Sequence, residues 1–413
     1  MTEVSAVSTR HALDDILSGG ALSCVFQPFV DVDSGRTLAF EALMRGPAGT
    51  RWEAPLTLLG AAHEAGRLAD LEQASLRAAL SGAAEMSAGR PVTVFVNLEP
   101  STLTGHLDLV LAELAGRARH LQVVVEVTER ALAADLAGIL AAAEALRAAG
   151  CGIALDDVGV QPASLAFIPL LRPEVVKLDL GLLRTVEDPA TVAVAGAVRA
   201  YAEQTGAEVV AEGIESPGDL TRALVLGATL GQGWLWGRGE RRIDPAAFEP
   251  ERFAARPIGT ALRATPYQMI GAGRRIRLAP KHLLVPVSRT LELMALQDTV
   301  PPMLFAAFEH ARFFPPAVVR RFTELAARLP FVAALGVGMP PDPAPGVRGG
   351  ALAGHDPLAR EWTVVVLGAH TSAALMARDL GDSGPDRDRR FEFAVSYDRG
   401  LVTAAAHAMV GRL

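Results

Sequence analysis

The chain has almost no cysteine, no excess of positive charge and no long uncharged apolar run. Cys24 and Cys151 are its two cysteines, and neither sits in a CxxC pattern. A disulfide framework or a zinc knuckle is therefore not expected, and a reducing cytoplasm fits. The net charge is −7 and the pI about 5.8, so long nucleic acid, which selects basic stripes, is not the expected partner. A membrane helix needs about 20 apolar residues. The nearest approach, residues 131–155, is interrupted by Asp135, Glu144 and Arg147, and no membrane span is expected. Residues 1–10 lack the basic start and apolar stretch of a secretory leader. His310, His355 and His370 have no metal-binding spacing with one another.

What the chain does have is length and alternation. Its 413 residues, half of them apolar, exceed one ordinary core and imply two domains. Up to about residue 245, short β-rich runs alternate with longer Ala- and Leu-rich helical runs. Strands are expected at 37–43, 92–98, 121–127, 152–156, 174–178, 208–211 and 229–231. Helices are expected at 56–64, 71–84, 107–118, 131–149, 192–204 and 217–226. Several strands are continuous apolar runs, as in a parallel sheet covered on both faces. Repeated βα units leave a closed barrel or an open doubly wound sheet, and this many units in residues 1–245 favour the barrel. Residues 246–282, punctuated by arginines, read as a connecting segment. Residues 283–413 read as a small α/β domain. Its helices are expected at 287–295, 302–312, 316–329, 371–380 and 400–410, its strands at 332–337, 362–367 and 391–396, and its loops at 340–354 and 381–389.

In a β/α barrel the chemistry gathers at the C-terminal ends of the strands. Glu41, Asn97 and Glu126 end three of the expected strands. Asp156 and Asp157 close another, Lys177 and Glu212 two more, and Gln232 follows the last. Taken singly, each is more often a cap or a salt-bridge partner; together they matter because each follows its own strand. Carboxylates a few ångströms apart repel one another. Hard divalent cations with oxygen ligands, Mg²⁺ or Mn²⁺, resolve that repulsion. Two adjacent Asp suit two ions about 3.5–4 Å apart, the spacing used to cleave phosphodiesters. Lys177 is the one cation among the anions and is suited to orienting or activating a water.

These residues resemble a known family. Glu41-Ala42-Leu43-Met44-Arg45 is similar to the EAL motif of cyclic di-GMP phosphodiesterases. Phe26-Gln27-Pro28, Val96-Asn97-Leu98, Glu126-Val127-Thr128-Glu129, Leu155-Asp156-Asp157, Val176-Lys177-Leu178-Asp179, Ala211-Glu212-Gly213-Ile214-Glu215 and Gly231-Gln232-Gly233 resemble further family motifs in order, across about residues 15–245. The resemblance implies an EAL-type (β/α)8 TIM-like barrel in residues 1–245, and it implies roles. Glu41, Asn97, Glu126 and Asp156 would hold metal, with Asp157 on a second ion and Glu212 assisting. Lys177 would position the nucleophilic water, and Glu129 would anchor the loop after Asp157. Gln27 and Arg45 would contact substrate, with Gln232 and Glu215 in supporting positions. The implied reaction is hydrolysis of cyclic di-GMP to linear pGpG with two Mg²⁺ or Mn²⁺ ions, in a protein that homodimerises.

The chain also departs from the family pattern. Where the family carries Phe-Gly-Thr-Gly-Tyr-Ser-Ser after the Asp pair, this sequence has Val158-Gly159-Val160-Gln161-Pro162-Ala163-Ser164, and Pro162 forces a different path. Glu99 stands where the family has Ser; if the strand continues, it adds negative charge to the site. A second reading of the same residues is a degenerate EAL domain that binds cyclic di-GMP, or a protein partner, without cutting the nucleotide. Residues 283–413 resemble the DICT sensory domain, chiefly through Val287-Ser288-Arg289-Thr290-Leu291-Glu292 and the strand at 362–367. The resemblance implies that an unknown signal or ligand bound there modulates the barrel.

Overall fold

The computed structural model describes residues 3–128, 132, 135–160, 162–241, 247–256, 264–271, 274–298 and 300–413. The chain divides into two compact units, one of residues 1–160 and 173–257, the other of residues 161–172 and 258–413.

The first unit is a closed barrel with its eight strands in chain order. They are β1 (Ser23–Asp31), β2 (Thr37–Arg45), β3 (Val92–Asn97), β4 (Leu121–Thr128), β5 (Gly152–Val158), β6 (Val175–Leu178), β7 (Glu208–Ala211) and β8 (Leu230–Gly231). Neighbours from β2 to β8 run parallel, whereas β1 is antiparallel to both β2 and β8. The alternation pattern misses β1 because Pro28 interrupts it. The structure shows why the proline is tolerated. The Phe26 N–H points away from β2 and donates to Glu240 O. Pro28, two residues on, faces the same side, and β8 reaches β1 only at Val30 and Asp31. The missing N–H thus falls where the ladder is open.

Phe29, Phe95, Val124, Val210 and Leu230 fill the barrel interior together with Phe253, which comes from beyond the last strand. Phe95 lies between two rings, Phe29 at 4.5 Å and Phe253 at 5.6 Å, centroid to centroid. Residues 247–256 therefore do more than connect. Arg252 pairs with Asp31 at 2.9 Å and Glu208 at 2.7 Å, and Gln122 Nε2 donates to Pro250 O. Those bonds fix the turn that carries Phe253 inward.

The second unit holds a seven-stranded sheet in the order β12-β11-β10-β13-β14-β15-β9. Its strands are β9 (Arg277–Pro280), β10 (Met303–His310), β11 (Val332–Val337), β12 (Arg348–Leu352), β13 (Glu361–Leu367), β14 (Ser372–Asp379) and β15 (Arg390–Ser396). Helices Lys281–Gln297, Pro316–Ala326 and Arg399–Val410 belong to the same unit. Two expected helices are strands: 302–312 is β10 and 371–380 is β14. Both are short runs rich in Ala, Leu and Met. Both lie inside the sheet, with 303–307 and 373–377 buried throughout. Burial on both faces erases the period that separates strand from helix. The expected loop at 340–354 contains β12, and Gly349 is required there because a Cβ would lie 1.8 Å from Pro340 O. Among the described residues no helix is long and apolar enough to cross a membrane.

Candidate functional site

One rim of the barrel gathers the polar residues that the strands carry. β4, β5 and β6 bring Glu126, Asp156 and Lys177 to it from consecutive parallel positions, behind apolar runs that are fully buried. Glu212 and Gln232 follow β7 and β8 directly. The turn after Glu212 is tight. Gly213 has φ +68°, and a Cβ there would meet the Leu180 side chain at 2.5 Å. Ser216 and Asp219 then form a reciprocal capping box that starts the helix Pro217–Leu226. Glu41 lies in the middle of β2 rather than at its end. β1 pairs with β2 as far as Ser23 and Arg45 and so prolongs the strand beyond the acid.

Lys177 is the centre of the cluster and is 1% exposed. Its Nζ lies 2.7 Å from Glu212 Oε1, 3.0 Å from Glu126 Oε1, 3.1 Å from Asp156 Oδ1 and 3.8 Å from Glu41 Oε1. The Phe29 ring lies beneath it at 5.8 Å. Glu41 is held from two further sides: Asn97 Nδ2 donates to Oε1 at 2.7 Å, and Gln232 Nε2 donates to Oε2 at 2.6 Å. Gln232 also donates to Gln27 Oε1 at 3.3 Å, which places Gln27 at the same rim. Asp157 is exposed, with φ +58°, and its N–H donates to Asp156 Oδ1. Carboxylate oxygens of Asp156, Asp157 and Glu212 all lie within 4.8 Å of one another.

Four carboxyl groups thus surround one ammonium, and their proton affinities reflect the imbalance. Burial pushes Glu126 well above the ordinary carboxylate range; Lys177 opposes the rise, and Glu41, Asp156 and Glu212 add to it. Burial also raises Glu212 to about 7, against the pull of Lys177. Burial would raise Glu41 as well, but the Lys177 charge and the hydrogen bonds from Gln232 and Asn97 hold it below its usual value. Burial alone would lower Lys177; the surrounding carboxylates keep it well above an ordinary lysine. The donor set fits hard divalent cations. It is all oxygen, three of its carboxylates converge on one small volume, and the buried Glu126 Oε1 makes no hydrogen bond although Lys177 is near.

The remaining expected residues are placed differently. Arg45 donates from Nη1 to Met44 O at 2.8 Å and makes no ion pair with the cluster among the described residues. Glu215 is exposed, and its N–H serves the capping box through Asp219 Oδ2. Glu129 lies outside the described residues. Glu99 does not share a strand face with Asn97, because β3 ends at Asn97 and Glu99 precedes the helix Pro100–Gly105. Its N–H donates to Glu72 Oε1 at 2.7 Å.

Glu72 was not singled out by the sequence pattern. It is 6% exposed and lines a cavity of about 210 Å³ with Met44, Asn97, Glu99 and Thr128. Its Oε2 has no hydrogen-bond partner, and burial raises the carboxyl to about 7, with the Glu99 charge contributing. The available signal was an acid on the buried face of a helix otherwise packed through Leu71, Leu76, Ala79 and Leu80.

A family model described as the EAL domain matches residues 10–239, and one described as a sensory domain in diguanylate cyclases and two-component systems (DICT) matches residues 269–380. Cyclic di-GMP phosphodiesterase RocR of Pseudomonas aeruginosa is 29% identical over 239 residues, which cover 54% of this chain and 58% of RocR. Probable cyclic di-GMP phosphodiesterase PdeB of Escherichia coli is 26% identical over 242 residues, 57% of this chain and 46% of PdeB. The chain spans about half the length of these two relatives. Among solved structures, PaMucR phosphodiesterase in complex with c-di-GMP matches with 27% identity and a TM-score of 0.50, covering 56% of this chain and 97% of that one. The EAL domain of Xanthomonas citri FimX in complex with c-diGMP matches at 16% identity with a TM-score of 0.53, covering 60% and 98%; that likeness speaks for the fold alone.

Proposed function

The chain belongs to the EAL-domain family, and on that premise we propose that it is a divalent-metal-dependent phosphodiesterase that hydrolyses cyclic di-GMP to linear pGpG. The observation that carries the reading is the buried Lys177 ammonium, with four carboxyl groups within 3.8 Å, beside the convergent Asp156, Asp157 and Glu212. Glu41, Asn97, Glu126 and Asp156 would hold one ion, and Asp157 a second, with Glu212 assisting. Bound there, Mg²⁺ or Mn²⁺ supplies charge neutralisation on the phosphate and a lower pKa for water.

This chain's own residues supply the positioning. Lys177, fixed by its carboxylate ring, offers an N–H to the oxygen of the attacking water and aligns it with phosphorus. Gln232 and Asn97 hold Glu41 in one orientation. Gln27 and the Arg45 fork, swung from Met44 O, would face the substrate, with Arg45 on a phosphate. Glu215 would support the same rim. The water oxygen forms the new bond to phosphorus, the bond from phosphorus to a bridging ribose oxygen breaks, and that oxygen takes up a proton to become the free hydroxyl of pGpG. We place the protein in the cytoplasm as a homodimer whose C-terminal region receives a signal.

One observation favours a second reading, a receptor that binds without cutting: the departure of the segment after Asp157 from the family pattern. A single experiment separates the two. Purified protein is incubated with cyclic di-GMP and Mg²⁺, Mn²⁺ or chelator beside a Glu41→Ala control, and products are followed by liquid chromatography. Metal-dependent pGpG, absent in the control, is expected. Intact nucleotide under every condition, with tight binding by calorimetry, would move the protein to the receptor class.

A further inference from the structure

Residues 264–271 lie against one face of the second unit's sheet and are held there by side chains of three adjacent strands. Glu361 on β13 stands opposite Arg378 on β14, and Arg378 stands opposite Glu392 on β15, so the three share that face. The Arg378 guanidinium sits over the Tyr267 ring at 4.7 Å, and the Tyr267 hydroxyl donates to Glu392 Oε2 at 2.7 Å. Glu361 accepts from Thr265 Oγ1 and, at 3.1 Å, from Tyr267 N–H. Thr265, Pro266, Tyr267 and Ile270 are buried. Met269 N–H donates to Thr265 O and Ile270 N–H to Tyr267 O, both at 3.1 Å, which keeps the segment compact.

The segment falls between two fastenings. Arg256 is tied to the barrel, from N–H to Glu174 Oε1 at 2.8 Å and from Nη2 to Gly206 O at 2.6 Å. Arg274 is tied to the second unit, to Ser396 Oγ at 2.9 Å and Asp398 Oδ1 at 3.4 Å. With 264–271 docked, residues 257–263 make the connection; without it, residues 257–273 do. The greatest span of that connection then rises from about 25 Å to about 60 Å.

The docking turns on one acid. Glu361 is 2% exposed. Burial pushes its carboxyl up to about 7; Asp356 adds to the rise, and Thr265, Tyr267 N–H and Arg412 oppose it. Of the charged groups around it, Arg378 pairs with Glu392 and Arg412 with Asp356. His407 is buried on the helix Arg399–Val410. Tyr267, pushed up to about 12 by burial, stays neutral. Protonated, Glu361 can donate to Thr265 Oγ1 while still accepting from Tyr267 N–H, and no charge is buried. Ionised, it regains full hydration only when the segment leaves.

We propose that residues 264–271 are a proton-gated strap, docked on the Glu361–Arg378–Glu392 face while Glu361 is protonated and released when it ionises. The docked state holds the proton more tightly than the released one. Docking is therefore strongest below the ordinary carboxylate range and weakens as pH rises through about 7. Between pH 6 and pH 8 the loss is roughly tenfold. Release uncovers the acid and lengthens the connection between the two fastenings. The strap gives the signal proposed for this region a chemical identity, and it stands or falls apart from the phosphodiesterase reading.

The test is hydrogen exchange on the full chain, without metal or nucleotide, at pH 6, 7 and 8. Protection is corrected for the intrinsic pH dependence of exchange. In the native chain the amides of 267–271 should lose roughly tenfold in protection from pH 6 to pH 8. They should also be less protected than those of 363–367 in β13 at every pH, because the strap opens without the sheet. Glu361→Gln keeps both hydrogen bonds and cannot ionise, so its protection should not change with pH. Tyr267→Phe should lower protection roughly fivefold at pH 6 and pH 8 alike. If Glu361→Gln does not fold, Glu361→Met takes its place, with weaker docking and the same flat profile. No fall in the native chain, or an equal fall in Glu361→Gln, would overturn the gating. Protection at 267–271 equal to that at 363–367 would overturn the strap itself.

Discussion

Two buried cations of the barrel unit, Arg147 on the helix Leu136–Ala148 and Lys177 on β6, are treated in opposite ways. Arg147, with a side chain 1% exposed, forks onto Glu174, whose side chain is fully buried. Arg147 Nη1 also reaches Glu144. Glu174 in turn accepts from Ile153 N–H and Arg256 N–H. That pair is balanced and saturated with hydrogen bonds, as a buried ion pair must be to survive desolvation. Lys177 is equally buried but has four carboxyl groups around it, one of them with an oxygen that makes no hydrogen bond. Burial alone therefore does not distinguish structure from function here. The difference lies in charge balance, one cation to two carboxyl groups at Arg147 and one to four at Lys177.

The comparison can be broken by substitution. The largest effect is expected at Lys177→Met. Turnover of cyclic di-GMP should fall on the order of 10³–10⁴-fold in steady-state kinetics, and a loss below about tenfold would remove Lys177 from the reaction. Arg147→Met should cost about 3–5 kcal/mol in urea unfolding because it strands Glu174, while Mn²⁺ affinity of the folded fraction stays unchanged. A loss of metal binding there would dissolve the contrast between the two cations.

Glu361 in the second unit sharpens the comparison as a buried acid with no ion pair among the described residues. Burial pushes its carboxyl up to about 7, against hydrogen bonds from Thr265 Oγ1 and Tyr267 N–H. The folded state binds that proton more tightly than the unfolded chain does. The contribution to stability is thus full below the ordinary carboxylate range and is lost as pH rises through about 7. Urea unfolding at about pH 5 and about pH 8 should show a fall on the order of 1–3 kcal/mol that Glu361→Gln flattens. A parallel fall in the variant would place the effect elsewhere. The smallest effect is expected at Glu126→Gln. Because burial pushes the Glu126 carboxyl well up and so disfavours its charge, the isosteric amide should change the metal-free melting transition by about 1 kcal/mol or less while weakening Mn²⁺ binding.

Much of the barrel could be read from the sequence, because seven of its strands carry, within or directly after an apolar run, a polar residue that no helix pattern explains. β1 could not, since Pro28 removes the donor that defines a strand and the open ladder that excuses it is a tertiary fact. In the second unit, β10 and β14 were hidden for the opposite reason. Their residues are apolar on every face, and Ala, Leu and Met favour a helix when nothing marks a period. The site divides along the same line. Glu41, Asn97, Glu126, Asp156, Asp157, Lys177, Glu212, Gln232 and Gln27 meet at one rim because strand register delivers them there. Arg45 and Glu215 do not join them, since a flexible side chain and a loop position take their direction from local hydrogen bonds that no spacing records. Glu72 was legible in principle, as an acid on an apolar helical face, but its cavity was not.

Phe253 gives the barrel a length of its own. The family match ends at residue 239, yet the aromatic seal beneath the Phe95 and Phe29 rings, and so beneath Lys177, is written after it. A recombination event that joined this module to a new neighbour at residue 239 would transplant every polar residue of the rim and leave the floor open to water. The hydration of Lys177, and with it the strength of every charge around it, is therefore inherited from chain that the family signature does not contain.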